Sequence, residues 1–227
     1  MRFSDLADRV AEVRSRIDAA VARGGHGQRV EIIAVTKTHG PDAVHAAFRA
    51  GIRAVGENKV QEALAKMDEV SVPVDWHLIG HLQRNKARHA GRFAMVHSLD
   101  SMRLAASLDE VGRARGSPLP VLVQVNVSGE ESKGGLSLED LRREAGALAA
   151  LGGLRISGVM TMAPFEAQES VLRATFRGAR QAREILCDAG MATARELSMG
   201  MSDDFEVAVE EGATMVRLGT ILFGARA

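Results

Sequence analysis

Apolar positions along this chain fall into two alternating patterns. The first segment carries Leu6, Val10, Val13, Ile17 and Val21 at helical spacing, which predicts an amphipathic helix ended by Gly24 and Gly25. Eight short apolar runs follow: EIIAVT (31–36), IRAVGE (52–57), DWHLIG (75–80), FAMVHS (93–98), LPVLVQVNV (119–127), LRISGVMTM (154–162), ARELSM (194–199) and ATMVRLG (213–219). Longer amphipathic stretches separate them. Helices are predicted over 41–51, with Val44, Ala47 and Phe48 on one face, and over 59–70, with Val60, Leu64 and Met67. Others are predicted over 83–91, 101–115, 137–151, 167–189 and 203–211, and a short last one begins near Gly219 or Thr220.

Strands alternating with helices imply a parallel sheet, because parallel neighbours need long crossovers. The runs are nearly continuous in Val, Ile and Leu, as expected when both faces are covered. Eight units favour a closed (β/α)8 TIM barrel over an open doubly wound sheet. An open sheet would lead us to expect a GxGxxG turn after the first strand, and AVTKTHGP (34–41) does not match it. The 227 residues suit one such barrel, typically roughly 250 residues, and no Pro- or Ser-rich linker divides them. We read residues 1–227 as a single domain, with the N-terminal helix as an extra element.

Composition narrows the setting. Lys plus Arg and Asp plus Glu are 29 each, so net charge gives no argument for a nucleic-acid or membrane-surface partner. The one cysteine, Cys187, cannot form an intrachain disulfide and reads as a packing residue. The N-terminal stretch is broken by charges and lacks a signal peptide's apolar region. No apolar run approaches the roughly 18 residues of a membrane span. A cytoplasmic protein is expected.

Catalytic and binding groups of a TIM barrel sit at the C-terminal ends of its strands. Here those ends carry Lys37, Glu57, Asn58, His81, His97, Ser98, Asn126, Ser128, Thr161, Ser198, Gly200, Arg217, Gly219 and Thr220. Lys37 shares strand parity with Ile33 and Val35, so it should point inward. Partial desolvation would pull its pKa below about 10.4 and favour the neutral amine that attacks an aldehyde. Position alone favours a lysine snorkelling to solvent. Two glycine turns shift the balance: LSMGMSDD (197–204) and RLGT (217–220) each lead into a helix, where free backbone N–H groups suit a phosphate. Ser198 and Thr220 could add hydroxyls to that site, or serve only as caps. An inward Arg217 needs a partner: a carboxylate, a phosphate, a ring nitrogen or an internal acid such as Glu57. His77 and His81 straddle a strand and its loop without nearby carboxylates, so no metal site is expected.

AVTKTH (34–39), VGENKVQEA (55–63), WHLIGHLQRNK (76–86), VHSLDS (96–101), VNVSGEESKGG (125–135), GVMTMAP (158–164), LSMGMSDDFEVAVEEGATMVRLGT (197–220) and FGAR (223–226) span essentially the whole chain. With these motifs the sequence resembles the pyridoxal phosphate homeostasis proteins, whose fold is similar to the N-terminal barrel of alanine racemase. The resemblance implies that Lys37 carries pyridoxal 5′-phosphate as a Schiff base, with Asn58 beside the ring. It implies that Ser198, Gly200, Gly219 and Thr220 hold the phosphate and that Arg217 faces the pyridine nitrogen. It further implies storage or carriage of the cofactor in the cell, affecting amino-acid and keto-acid balance, with no assigned reaction. Apo pyridoxal enzymes are candidate partners, and a monomer is expected.

Two rivals share Lys37. An amino-acid racemase related to alanine racemase needs a second base, in the related enzymes a tyrosine, and this chain has none. His81 could substitute, though nothing in the sequence marks it. A cofactor-free Schiff-base aldolase would use the same lysine and phosphate loops. Arg217 beside the ring nitrogen would keep it unprotonated and weaken the ring as an electron sink.

Overall fold

The computed structural model describes residues 3–130 and 134–224. Residues 131–133 and 225–226, within two of the motifs above, lie outside that range. Eight parallel strands close in sequence order into one barrel, β1 (Glu31–Val35), β2 (Ala54–Glu57), β3 (Asp75–Leu78), β4 (Met95–Leu99), β5 (Leu119–Gln124), β6 (Leu154–Met160), β7 (Glu196–Ser198) and β8 (Met215–Leu218). The closing seam pairs Ile33 with Arg217 and Ala34 with Leu218. The expected (β/α)8 barrel is therefore what forms, with each strand inside its apolar run except β4, which extends one residue past it to Leu99.

Helix α1 (Leu6–Gly24) is the extra element and packs along α7 (Phe205–Glu210), flanked by α2 (Pro41–Arg49) and α8 (Thr220–Phe223). Its buried stripe is Leu6, Val10, Val13, Ile17 and Ala20, and Gly25 closes it at φ 70°. Arg16 and Arg23 tie it to Glu206, and Arg23 also reaches Glu210. The remaining helices are α3 (Val60–Glu69), α4 (Met102–Ala114), α5 (Leu138–Ala149) and α6 (Glu169–Asp188). The stretch after β3 winds as 3₁₀ turns over Arg84–Arg92 rather than as an α-helix. Only Ala87 and Ala90 of it are buried, which is too little apolar surface to hold a full amphipathic helix. No helix among the described residues is long and apolar enough to cross a membrane.

Two apolar layers result. The larger lies between strands and helices, and a smaller one fills the barrel around Ile33, Ala54, Leu122, Met160 and Met215. The barrel's lumen is therefore packed, and open space lies outside it, at the mouth formed by the C-terminal ends of the strands and, in a smaller cavity of about 480 Å³, at their N-terminal ends.

One close approach makes a stability test. Gly112 in α4 lies against the Gly153 carbonyl ahead of β6, where a β-carbon would overlap the oxygen. Gly146 in α5 faces open space. Gly112→Ala should cost about 1–3 kcal/mol, whereas Gly146→Ala should stabilise by roughly 0.5–1 kcal/mol. Urea unfolding of the two variants measures both, and equal effects would refute the packing described here.

Candidate functional site

The mouth holds a cavity of about 750 Å³ to which every strand end contributes. Val35 and Lys37 line it after β1, Asn58 after β2, Ile79, Gly80 and His81 after β3, and Asp100 after β4. Gln124 ends β5, Met162 and Phe165 follow β6, Met201, Ser202 and Asp203 follow β7, and Arg217, Gly219 and Thr220 close the ring.

Five of the seven residues expected to bind a ligand thus share one wall: Lys37, Asn58, Arg217, Gly219 and Thr220. Ser198 and Gly200 do not line it. Ser198 has the inward parity of β7 but lies one layer below the mouth, fully buried. Its Oγ is 2.9 Å from His97 Nδ1 and 2.7 Å from Arg217 Nη1, so the expectation that it reaches a phosphate is corrected. Gly200 sits at φ 91°, with Phe205 and Ala208 where a side chain would go, and lets the chain turn sharply off β7. That turn presents Ser202, which the sequence reading passed over. Helix α7 starts at Phe205, later than expected, so the loop is long enough for the second serine of SMGMS to face the mouth. Ser202 Oγ accepts the Ile221 N–H at 3.3 Å and so joins the two glycine turns. Thr220 is exposed at the rim, and neither its N–H nor its hydroxyl has a partner among the described residues.

Arg217 forms the cavity floor. Only 5% of it is exposed. Nη1 donates to the Ser198 carbonyl and hydroxyl, both at 2.7 Å, and Nη2 to the Thr161 carbonyl at 2.8 Å. The Nε–H has no acceptor among the described residues. Burial lowers the guanidinium pKa to about 10, opposed by the Asp204 charge, so it stays a cation at neutral pH. Glu57, considered as its partner, instead accepts Thr36 Oγ1 at 2.6 Å and Lys66 Nζ at 2.7 Å.

Below Arg217 the hydrogen bonds continue into the barrel, with His97 Nε2 and His77 Nδ1 2.8 Å apart. Ser198 Oγ accepts from Arg217 Nη1 and shares a further hydrogen bond with His97 Nδ1, and the direction of that bond and of the His97–His77 bond is set together by the His97 tautomer. Burial lowers the His77 pKa from 6.5 to about 4. Burial, His77 and Arg217 together hold His97 far below its ordinary value. Both rings are neutral. His81 has a different setting: 69% of its side chain is exposed at the rim, and Nδ1 is 3.0 Å from Asp100 Oδ2. The two histidines of the H-x3-H pair therefore point to different places. Phe165, 79% exposed, makes the rim apolar on the β6 side.

The alanine racemase N-terminal domain family matches residues 9–227. A pyridoxal phosphate homeostasis protein of Pseudomonas aeruginosa is 45% identical over 227 residues, covering 99% of this chain and 97% of that protein. One of Escherichia coli K12 is 41% identical over 234 residues, covering 99% and 98%. The structure of PipY from Synechococcus elongatus PCC7942 with PLP bound superposes with a TM-score of 0.85 at 39% identity, covering 96% of this chain and 100% of that one.

The buried imidazoles set a pH dependence. An unfolded chain protonates His77 and His97 near pH 6.5, whereas in the folded chain His77 resists until about pH 4 and His97 is likewise held well below 6.5. Stability is therefore full above pH 6.5 and lost as pH falls toward 4, by roughly 3 kcal/mol from His77. Urea midpoints from pH 7 to 4 should follow this slope, and His77→Gln should flatten it. An unchanged slope in that variant would overturn the assignment.

Proposed function

This chain belongs to the pyridoxal phosphate homeostasis protein family, and from that premise we propose that it binds pyridoxal 5′-phosphate covalently at Lys37 and stores or carries it. The observation that carries this reading is the joint placement of an amine, a buried cation and two loop turns around one cavity. The residues fit the group. The Arg217 side chain lines the cavity and its Nε–H has no acceptor among the described residues, which leaves a donor for a ring nitrogen's lone pair. Ser202, Gly219 and Thr220 supply hydroxyl and backbone donors for the phosphate, and Gly200 shapes the turn that brings Ser202 there. Asn58, half-buried beside Lys37 in the same wall, would flank the ring.

When bound, the cofactor supplies an aldehyde that primary amines take up reversibly and a ring that can draw electrons from that carbon. Lys37 provides the amine. Arg217 stays protonated, so it donates to the ring nitrogen and cannot deliver a proton that would stay there. This favours holding the cofactor over carbanion chemistry. The chain has no tyrosine, so no phenol is available as an acid–base group. We read the protein as a cytoplasmic, single-domain monomer that hands its cofactor to apo pyridoxal enzymes. Its relatives in Pseudomonas aeruginosa and Escherichia coli are called after homeostasis rather than a reaction.

One observation favours a second reading, an amino-acid racemase: the His81–Asp100 pair on the cavity rim could move a proton. Incubating the loaded protein with alanine in deuterium oxide separates the two. No Cα exchange above the free-cofactor background is expected, and exchange at tens of turnovers per second would establish the racemase.

Lys37→Ala should abolish the near-visible absorption that the wild-type protein gains with pyridoxal phosphate. Borohydride reduction and peptide mapping should label Lys37; label on Lys59 or Lys86 instead would refute it. Pyridoxal without its phosphate should bind at least about tenfold more weakly. Loaded protein should activate an apo pyridoxal enzyme in the presence of a scavenger that intercepts free cofactor. Activation blocked completely by the scavenger would rule out direct transfer.

A further inference from the structure

Lys66 is the unexpected residue of this fold. The periodicity of α3 presents Val60, Leu64 and Met67 as its apolar face, yet Lys66 turns inward with 7% of its side chain exposed. A buried ammonium is costly unless each proton finds an acceptor. Here all three do: the Thr36 carbonyl at 2.8 Å, Glu57 Oε1 at 2.7 Å and Glu62 Oε1 at 2.9 Å. Glu57 is itself fully buried, and desolvation raises its pKa against the pull of Lys66 and Thr36. Its Oε2 has no hydrogen-bond partner among the described residues. A methionine or leucine would fill the same space without these costs, so stability alone gives no reason for the cluster.

The contacts converge on one short segment. Lys66 grips the carbonyl of the residue before Lys37, and the Thr36 hydroxyl is held by Glu57 at 2.6 Å. Glu62 Oε1, bound to Lys66, also accepts the N–H of the residue after Lys37, Thr38, at 2.6 Å. Thr38 has φ 67°, a left-handed conformation that a β-branched residue adopts only when its surroundings impose it. Both peptide groups flanking Lys37 are thus clamped by one charged cluster on α3 and β2.

We propose that Lys66, acting with Glu57 and Glu62, is a positioning residue that fixes the backbone on either side of Lys37 and so aims its amine into the cavity. This rests on the reading of Lys37 as the cofactor's covalent partner. The cluster lies behind β1 and contributes no atom to the cavity wall, so ring and phosphate docking are independent of it. Its loss should therefore damage capture of the aldehyde selectively.

The test compares two ligands on the full chain. Pyridoxal 5′-phosphate can condense with an amine; pyridoxine 5′-phosphate has the same ring and phosphate but an alcohol in place of the aldehyde. Lys66→Met and Glu62→Ala should each weaken binding of the aldehyde by about tenfold or more. They should also slow the borohydride-trapped labelling of Lys37 and leave affinity for the alcohol within about twofold. Glu62→Gln, which keeps an acceptor for Thr38, should recover much of the loss. If Lys66→Met does not fold, Glu62→Ala decides, since Glu62 is only partly buried. Equal losses for both ligands would mean a merely structural role, and unchanged binding of both would mean none; either overturns the proposal. If the wild-type protein itself does not prefer the aldehyde, the Lys37 reading fails and takes this one with it. A preference retained by the variants sinks the positioning role alone.

Discussion

The structure turns on a cation kept inside a parallel barrel without a carboxylate to neutralise it. Arg217 is held by the Ser198 carbonyl and hydroxyl and by the Thr161 carbonyl, all neutral acceptors. Dipoles can orient a guanidinium but cannot cancel its charge, so Arg217 brings a positive charge to the floor of the cavity. Asp204 contributes at a distance, and its own pKa is raised by burial. The neutral chain Ser198–His97–His77 below Arg217 follows from the same constraint. A protonated imidazole there would add a second buried cation, so both rings stay neutral and serve as fixed relays of hydrogen-bond direction.

A second charged cluster lies on the opposite side of the seam. Glu57, Lys66 and Glu62 hold the segment on which Lys37 stands, and they connect β1, β2 and α3 as Arg217 connects β6, β7 and β8. The seam itself pairs Ile33 with Arg217, so the strand leading to the amine is hydrogen-bonded to the strand that carries the cation. Placing an amine and a guanidinium on neighbouring strands is unfavourable by itself. It persists because the guanidinium and the backbone that carries the amine are each secured by a polar network, and because an anionic, aldehyde-bearing ligand would answer both charges.

The order of strands and most of the cavity wall were legible in the sequence, and the reasons are local. Apolar runs of β-branched residues specify strands, and parity places Ile33, Lys37 and Arg217 facing inward. What the sequence concealed was depth. Ser198 and Ser202 are equivalent by composition and neighbours, and only the short β7 with the turn at Gly200 buries one and presents the other. Lys66 was hidden for a related reason. In a helical pattern a lysine reads as solvent-facing, and its acceptors lie outside its own helix apart from Glu62. The stretch after β3 was read as a helix because spacing reports periodicity and not the apolar area that sustains it.

Groups able to exchange protons are distributed unevenly around the cavity. Arg217 is fixed as a donor, the imidazoles below it are sequestered, and the His81–Asp100 pair sits at the solvent-facing rim. An enzyme that labilises a Cα proton needs its acid–base groups oriented and screened from water around the reacting carbon. Here Arg217 and the imidazoles below it are oriented and screened from water, and the His81–Asp100 pair stands where water has access. On the reading proposed above, a site built in that way would suit reversible retention of an aldehyde, with Phe165 making the rim apolar on the β6 side.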